Sequence, residues 1–457
     1  MFKRKTRSLF LGKTVYPPKR KLALSENALL RYFTFSSLYT AQGIPEGLTY
    51  FAIPAWLAMN GKSPAEIGSF VAAIGIPWSF KILVAPIMDR YTYLPMGRKR
   101  PWVIIGQLGL IITLLCTSLI NNPLDNLPYL IVAGFFISFF GAFQDVAVDG
   151  MAIDILPIEE QARANGLMWG SKTIGISLSL LVSTWVINHY GLPYATALLA
   201  FSILIILLVP VFILENLGEK LTPWTKGQAS LKTKKAQVRN LKQIFFNLKK
   251  VFFLPSSLIL GAAVFIMSIG YGLMEALLPV FTIQEIGWTN ARFSEVTAMA
   301  NIVAGILGMF VAGALVDYFG KIKMLNLFLW LSITLILLLI LGKQFWKSSY
   351  FVPAFILGYY ILYTFQLIAI FSIAMELCWK RISATQFTLY MAISNLGRAT
   401  GAGFLGEIKH FFTTWEFVIS VYALAAVIML FFISKVNTKT HLLSVGILEK
   451  QHQPLNN

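Results

Sequence analysis

The sequence predicts an all-α polytopic membrane protein, twelve transmembrane helices in two six-helix bundles, and three observations carry that expectation. Hydrophobic residues make up 57% of the chain and charged ones only 13%, far from the balance of a soluble domain. Twelve separate stretches reach the ~20 mostly apolar residues that a bilayer crossing needs. The 38 Lys and Arg residues gather in alternate connections, as they do in the cytosolic loops of membrane proteins.

In chain order, residues 1–31 are basic and interrupted by "YPPKRK", which reads as a cytosolic segment and not as a cleavable leader. Six apolar stretches follow at roughly 32–57, 65–89, 101–121, 128–154, 165–187 and 194–214, an N-terminal bundle over 32–215. Residues 216–255 are the long hydrophilic stretch between the halves. Within them "LKQIFFNLKKVFF" alternates basic and apolar residues at helical spacing, which suits either the inner membrane surface or a solvated linker. Six more stretches, roughly 256–283, 294–317, 323–341, 351–376, 384–408 and 416–434, give a C-terminal bundle over 256–434 and leave 435–457 as a cytosolic tail.

Thirty of the basic residues fall on the termini, the linker and the alternate loops, five on the opposite loops and three inside spans. Both termini are therefore expected in the cytosol, which requires an even number of spans. The same bias accounts for the net charge of +18 without nucleic acid, whose binding stripe would not be spread over every other loop. Cys116 and Cys378 lie in or at the ends of spans and imply no disulfide. His189, His410, His441 and His452 lack ligand spacing, so neither a metal nor a cofactor is expected.

The halves echo one another. "EGLTYFAIPAW" around Gly47 matches "YGLMEALLPVF" around Gly272 at an offset of 225 residues. "APIMDRYTYLPMGRKR" matches "AGALVDYFGKIK", pairing Asp89 with Asp317. Such agreement in order and membrane side indicates a six-plus-six duplication, as in transporter folds.

Charges inside the spans carry the functional signal, because each costs several kcal/mol unless it meets protein or water. Asp145 and Asp149 are four residues apart, hence about 40° apart on one helix face. Like charges so placed favour holding a proton, which a proton-coupled carrier needs; structural pairing with a buried cation is the alternative. Asp154 lies about 180° from Asp145 and suits a partner among Arg98, Arg100 and Arg163. Lys81, Lys172 and Arg398 need partners among the fourth-span acids, Glu46, Glu275 or an anionic substrate. Lys172 and Arg398 fall within about a turn of equivalent positions in the two halves, an arrangement that could clamp one carboxylate-bearing ligand or form permanent salt bridges. In "AQGIPEGL", Gly43, Pro45 and Gly47 weaken the helix around Glu46, so freed backbone groups, Gln42 and Glu46 are expected to bond a sugar or peptide. Trp78 and Trp169, close in sequence to Lys81 and Lys172, are the aromatic candidates for stacking.

The pattern that carries Asp89 and Asp317 before Gly- and Arg-bearing turns resembles the cytosolic gating motif of the major facilitator superfamily. It implies gate roles for Asp89, Arg98, Arg100, Asp154, Arg163 and Asp317. A narrower resemblance joins it. "YTAQGIPEGLTYFAIPAWLAMNGKSPAEIGSF", "GIPWSFKILVAPIMDRY", "GRKRPWV", "QDVAVDGMAIDIL" and "ATQFTLYMAISNLGR" look like stretches of the AmpG-type muropeptide permeases and the wider peptide–acetyl-coenzyme A transporter family. That resemblance implies a monomeric, proton-driven importer of anionic N-acetylglucosaminyl-anhydromuramyl compounds in a bacterial inner membrane. It adds Gln144 and Asn395 to the substrate-facing candidates, while other branches of the family carry siderophores or acyl-coenzyme A. Some muropeptide permeases have extra hydrophobic segments in the middle, where this chain is basic and hydrophilic, so the resemblance supports the family better than the substrate. An intramembrane phosphotransferase is the remote alternative, because "DVAVDG" has its first spacing one residue too long and no second aspartate pair.

Overall fold

A computed structural model of the chain describes residues 22–235, 241–379 and 382–450. Among the described residues the regular structure is helical, apart from one isolated bridge between Ala23 and Leu214. Twelve antiparallel rods form it: span 1 (28–59), span 2 (64–90), span 3 (Arg100–Ser118), span 4 (Leu127–Ile155), span 5 (Ile158–Tyr190), span 6 (Leu192–Phe212), span 7 (Pro255–Glu285), span 8 (Asn290–Phe319), span 9 (Lys321–Leu341), span 10 (Phe351–Leu377), span 11 (383–411) and span 12 (Trp415–Ile433). Ten of the helices are long and apolar enough to cross a membrane. The exceptions are spans 1 and 11, which carry the polar stretches "TAQGIPEG" and "SNLGRATG".

Packing repeats at a distance of six spans. Span 1 packs on span 5 as span 7 packs on span 11, and the pairs 3 with 6 and 2 with 4 recur as 9 with 12 and 8 with 10. The halves meet where span 2 crosses span 11 and where span 8 crosses span 5. An even number of rods brings the described ends of the chain and the described parts of the linker to one face, here the terminal face. At the opposite face the halves are tied by polar bonds. Gln284 Nε2 donates to the carbonyls of Ala58 and Lys62 at 3.0 and 2.8 Å. Asn188 and Asn290 exchange amide bonds of 2.9 and 2.7 Å, and Thr184 Oγ1 lies 2.7 Å from Ser294 Oγ.

Glycine allows the closest of these packings. A Cβ on Gly47 would lie 2.3 Å from the carbonyl oxygen of Ile176, and one on Gly272 would lie 1.8 Å from that of Arg398. The two contacts are counterparts, one in each half, and they bring the acids of spans 1 and 7 against the cations of spans 5 and 11. Span 1 does not open at Glu46 as its sequence suggests. The helix runs through Pro45 and only widens, over Gly47–Ala52. Ser179 Oγ donates to the Ile44 carbonyl at 2.6 Å and Thr49 Oγ1 to that of Pro45 at 2.8 Å, so hydroxyls take up carbonyls expected to face a ligand.

On the terminal face, helix Leu241–Phe252 turns Leu248 and Val251 into a cluster with Trp379, Ile382 and Val445. That apolar stripe therefore meets protein, and Phe246 is left exposed. Helix Thr438–Lys450 docks beside it, His441 Nε2 lying 2.8 Å from the Leu377 carbonyl oxygen. Burial holds this imidazole below its ordinary value of 6.5.

The glycine contact makes a test. Gly272→Ala is expected to force spans 7 and 11 apart and to destabilise the protein by about 1–3 kcal/mol, read as a lower thermal unfolding midpoint in detergent. An unchanged midpoint would show that the two helices yield freely.

Candidate functional site

Span 2 is interrupted where its chemistry sits. The helix Pro64–Ser79 ends at Phe80, and a second helix starts at Lys81. A broken helix at membrane depth is tolerated where it is buried in protein or lines a cavity. The interruption delivers Lys81 to Asp145 of span 4 in a close ion pair, both side chains more than nine-tenths buried. Lys81 Nζ also lies 4.5 Å from the centre of the Trp78 ring.

A second ammonium shares that indole. Lys172 Nζ is 5.1 Å from the Trp78 ring centre and 5.4 Å from that of Trp169, and it pairs with Glu46 Oε1 at 2.7 Å. Its counterpart across the pseudo-repeat is Arg398, whose Nη2 lies 2.7 Å from Glu275 Oε1 and whose guanidinium stands 5.2 Å from the Tyr50 ring centre. Each half thus pairs an acid of its first helix with a cation of its fifth. Asn395 Nδ2 joins the halves by donating to the Trp78 carbonyl at 3.3 Å.

Among the described residues, these three cations, Lys81 and Lys172 buried and Arg398 partly so, face four acids. Lys81, Lys172 and Arg398 are each spoken for, by Asp145, Glu46 and Glu275. The acid left over is Asp149, which has no ion pair and accepts a hydrogen bond from the phenol of Tyr39. A proton placed on Asp149 neutralises it without breaking any of the three pairs.

The remaining candidates divide. Gln42 is buried with neither amide atom hydrogen-bonded; Gln144 donates to the Leu38 carbonyl at 3.2 Å and leaves its own carbonyl oxygen unpartnered. Trp169 is 55% exposed and meets Tyr39 edge-on at 6.3 Å. Of the gate candidates, Arg98 grips both oxygens of Asp154 from Nη1 at 2.8 and 2.9 Å. Arg100 is not placed as a gate. Its guanidinium is buried and donates to the carbonyls of Met96, Pro210, Val211, Lys220 and Leu221. The backbone N–H groups of Arg98, Lys99 and Arg100 all go to the Glu215 carboxylate, so this loop is stapled to the end of span 6 inside one half. Arg163 and Asp317 are exposed, and Asp317 forms no ion pair among the described residues. The side chain of Asp89 lies outside the described residues.

Sequence reasoning missed Tyr39 and Tyr50. The signal for Tyr39 was present, since Tyr39, Gln42 and Glu46 recur at helical spacing on one face of span 1.

Comparison with known proteins agrees with this architecture. Residues 35–402 match the Major Facilitator Superfamily, and the chain belongs to that family. It is 26% identical over 368 residues to the anhydromuropeptide permease of Escherichia coli K12, covering 78% of this chain and 70% of the permease. It is 23% identical over 435 residues to a putative transporter, AmpG 4, of Rickettsia conorii, covering 90% of this chain and 97% of that one. The solved structure of a bacterial homologue of the human lysosomal transporter Spinster superposes with a TM-score of 0.64 at 14% identity, over 94% of this chain and all of the other. These likenesses are to transporters, not to enzymes.

The Lys81–Asp145 pair can be separated from the rest. Lys81→Met is expected to destabilise the protein by about 3–5 kcal/mol, because it strands a buried carboxylate, and adding Asp145→Leu should recover most of that loss. Thermal unfolding of the two single variants and the double variant in detergent checks this. Equal losses that simply add would mean that the pair is not coupled.

Proposed function

We propose, from that membership, that the protein is a proton-coupled importer of anionic muropeptides, N-acetylglucosaminyl-anhydromuramyl compounds, in a bacterial inner membrane. The bundles 32–215 and 256–434 rock about a central site, both termini are cytosolic and the protein works as a monomer. The likeness to an anhydromuropeptide permease supports the substrate class. The observation that carries proton coupling is the unpaired Asp149 beside three completed ion pairs.

The cycle follows from charge. With Asp149 ionised the site carries one surplus negative charge; a proton removes it and lowers the cost of an anionic ligand approaching Lys172 and Arg398. The ligand's carboxylate competes with Glu46 and Glu275 for those cations, which stand at equivalent places in the two halves and can close on one molecule. Polar bonds tie the halves together at the face opposite the termini in this structure, the face that has to part at another stage of the cycle.

Two experiments test the reading with the disaccharide-tripeptide as probe. In proteoliposomes, Asp149→Asn should abolish uptake driven by a proton gradient and retain gradient-free counterflow, because the asparagine keeps size and hydrogen bonding but cannot titrate. Asp145→Asn should impair both modes, since it also releases Lys81. Gradient-driven accumulation by Asp149→Asn at the parental level would move the proton to Glu46 or Glu275. In binding measurements on folded protein, Lys172→Gln or Arg398→Gln should weaken the probe by at least about tenfold, the loss of one charge-assisted bond. Parental affinity in both variants would assign these cations to structure alone.

A further inference from the structure

The C-terminal half holds a cavity beside the Glu275–Arg398 pair whose tyrosines the charge cycle does not use. Its lining is Tyr271, Glu275, Tyr359, Tyr360, Tyr363 and Arg398, without one aliphatic side chain. Membrane interiors fill such space with aliphatic groups at no cost, so four phenols around an ion pair need a reason. Tyr271 has one, donating to Gln366 Oε1 at 2.7 Å, and Gln366 is itself anchored by Ser332 Oγ at 2.5 Å. Tyr359 and Tyr360 are more than nine-tenths buried, yet among the described residues their hydroxyls make no hydrogen bond, and neither does that of Tyr363. Their oxygens are not enclosed but open onto the cavity, where a ligand or bound water can meet them. Arg398 is in the same condition, with one of its five donor hydrogens spent on Glu275.

The ring planes narrow the ligand. Tyr271 meets Tyr363 at 4.7 Å and 82°, and Tyr359 meets Tyr360 at 5.4 Å and 76°. Tyr359 and Tyr363 are near-parallel at 13°, but their centres are 6.2 Å apart and one helical turn separates them along span 10. The walls therefore form a box of mutually perpendicular faces and not the parallel slot that grips a flat heteroaromatic ring on both sides. A pyranose suits such a box. It offers one apolar C–H face to a ring, and hydroxyls around its edge that both donate and accept, as phenols and a carboxylate require.

We infer that this tyrosine box is the floor of the sugar subsite, its enclosed space taking the hydroxyl edge of one pyranose ring among Tyr359, Tyr360 and Tyr363 while Arg398 takes a carboxylate carried by that ring. The inference rests on the transport reading above and adds to it a division of labour. The N-terminal half, with Asp149, Asp145 and Lys81, handles the proton, and the C-terminal half recognises the sugar. Phe51 of span 1, 6.5 Å from the Tyr360 ring centre, brings the other half to the rim, so a filled box can report to both bundles.

The test uses the full chain in nanodiscs and three probes: the N-acetylglucosaminyl-anhydromuramic disaccharide, the same disaccharide carrying its peptide, and uridine. Tyr360→Phe and Tyr363→Phe keep ring and packing and remove one hydroxyl each. Each is expected to raise the dissociation constant of both sugar probes by the same factor, about 5- to 10-fold, one hydrogen bond's worth. Disaccharide affinity unchanged in folded variants would overturn the subsite while the transport reading stood. So would a loss confined to the peptide-bearing probe, which would make the box a peptide site. Uridine binding to the parent and lost in the variants would replace the sugar by a flat ring. A parent that binds neither sugar probe would sink the transport reading and the subsite together.

Discussion

Placing seven charged side chains in the membrane interior is the constraint on which the rest of this structure depends. An unpaired charge there costs several kcal/mol, and a pair is tolerable only at contact distance and in good geometry. Contact between helices demands that backbones come close, which is why Gly47 and Gly272 face carbonyls that no Cβ could approach. Span 2 gives up helical continuity at Phe80 for the same end, because Lys81 otherwise lies on a rod whose course is fixed by Pro64–Ser79. Close helix packing, broken geometry and ion pairing are thus one solution to one electrostatic problem.

Symmetry then shows which parts of that solution are general and which are special. The Glu46–Lys172 and Glu275–Arg398 pairs repeat across the halves, as do the glycine contacts behind them. What does not repeat is Lys81, Asp145 and Asp149 on one side and the tyrosines of span 10 on the other. A duplicated bundle keeps by inheritance what holds it together, so the features that differ between copies are where the two halves do different work.

Much of the fold was legible in the sequence because lipid imposes a simple rule: about twenty apolar residues per crossing and basic loops on one side. The site was legible only as an inventory. Composition and spacing located every intramembrane acid and cation, yet left Lys172 open among the span-four acids, Glu46, Glu275 and an anionic substrate, where the structure gives it Glu46. Partner choice depends on how each helix is rotated about its axis, and that is set by packing between residues far apart in the chain, 64 positions for Lys81 and Asp145 and 123 for Glu275 and Arg398, which no local pattern encodes. Arg100 misled for a related reason. An arginine in a basic loop reads as a gate charge, but its donors are spent on backbone carbonyls around the end of span 6 and the start of the linker, a role open to an arginine only once the loop's fold is known.

The two lysines on Trp78 connect charge to movement. The indole supports both ammonium groups, and the Trp78 carbonyl is held from the other half by Asn395 at 3.3 Å. Span 2, which carries Trp78, is also the helix that crosses span 11, the bearer of Asn395 and Arg398. Any rocking of the halves about that crossing shifts the platform beneath Lys81 and Lys172 relative to Asp145 and Glu46, and so alters how well each acid is neutralised. Conversely, a proton or an anion arriving at the acids changes the pull on both lysines and through them on the interface. In the proposed cycle coupling needs no long pathway, because Lys81, Lys172 and the Asn395 contact share Trp78 and the two helices that cross beside it.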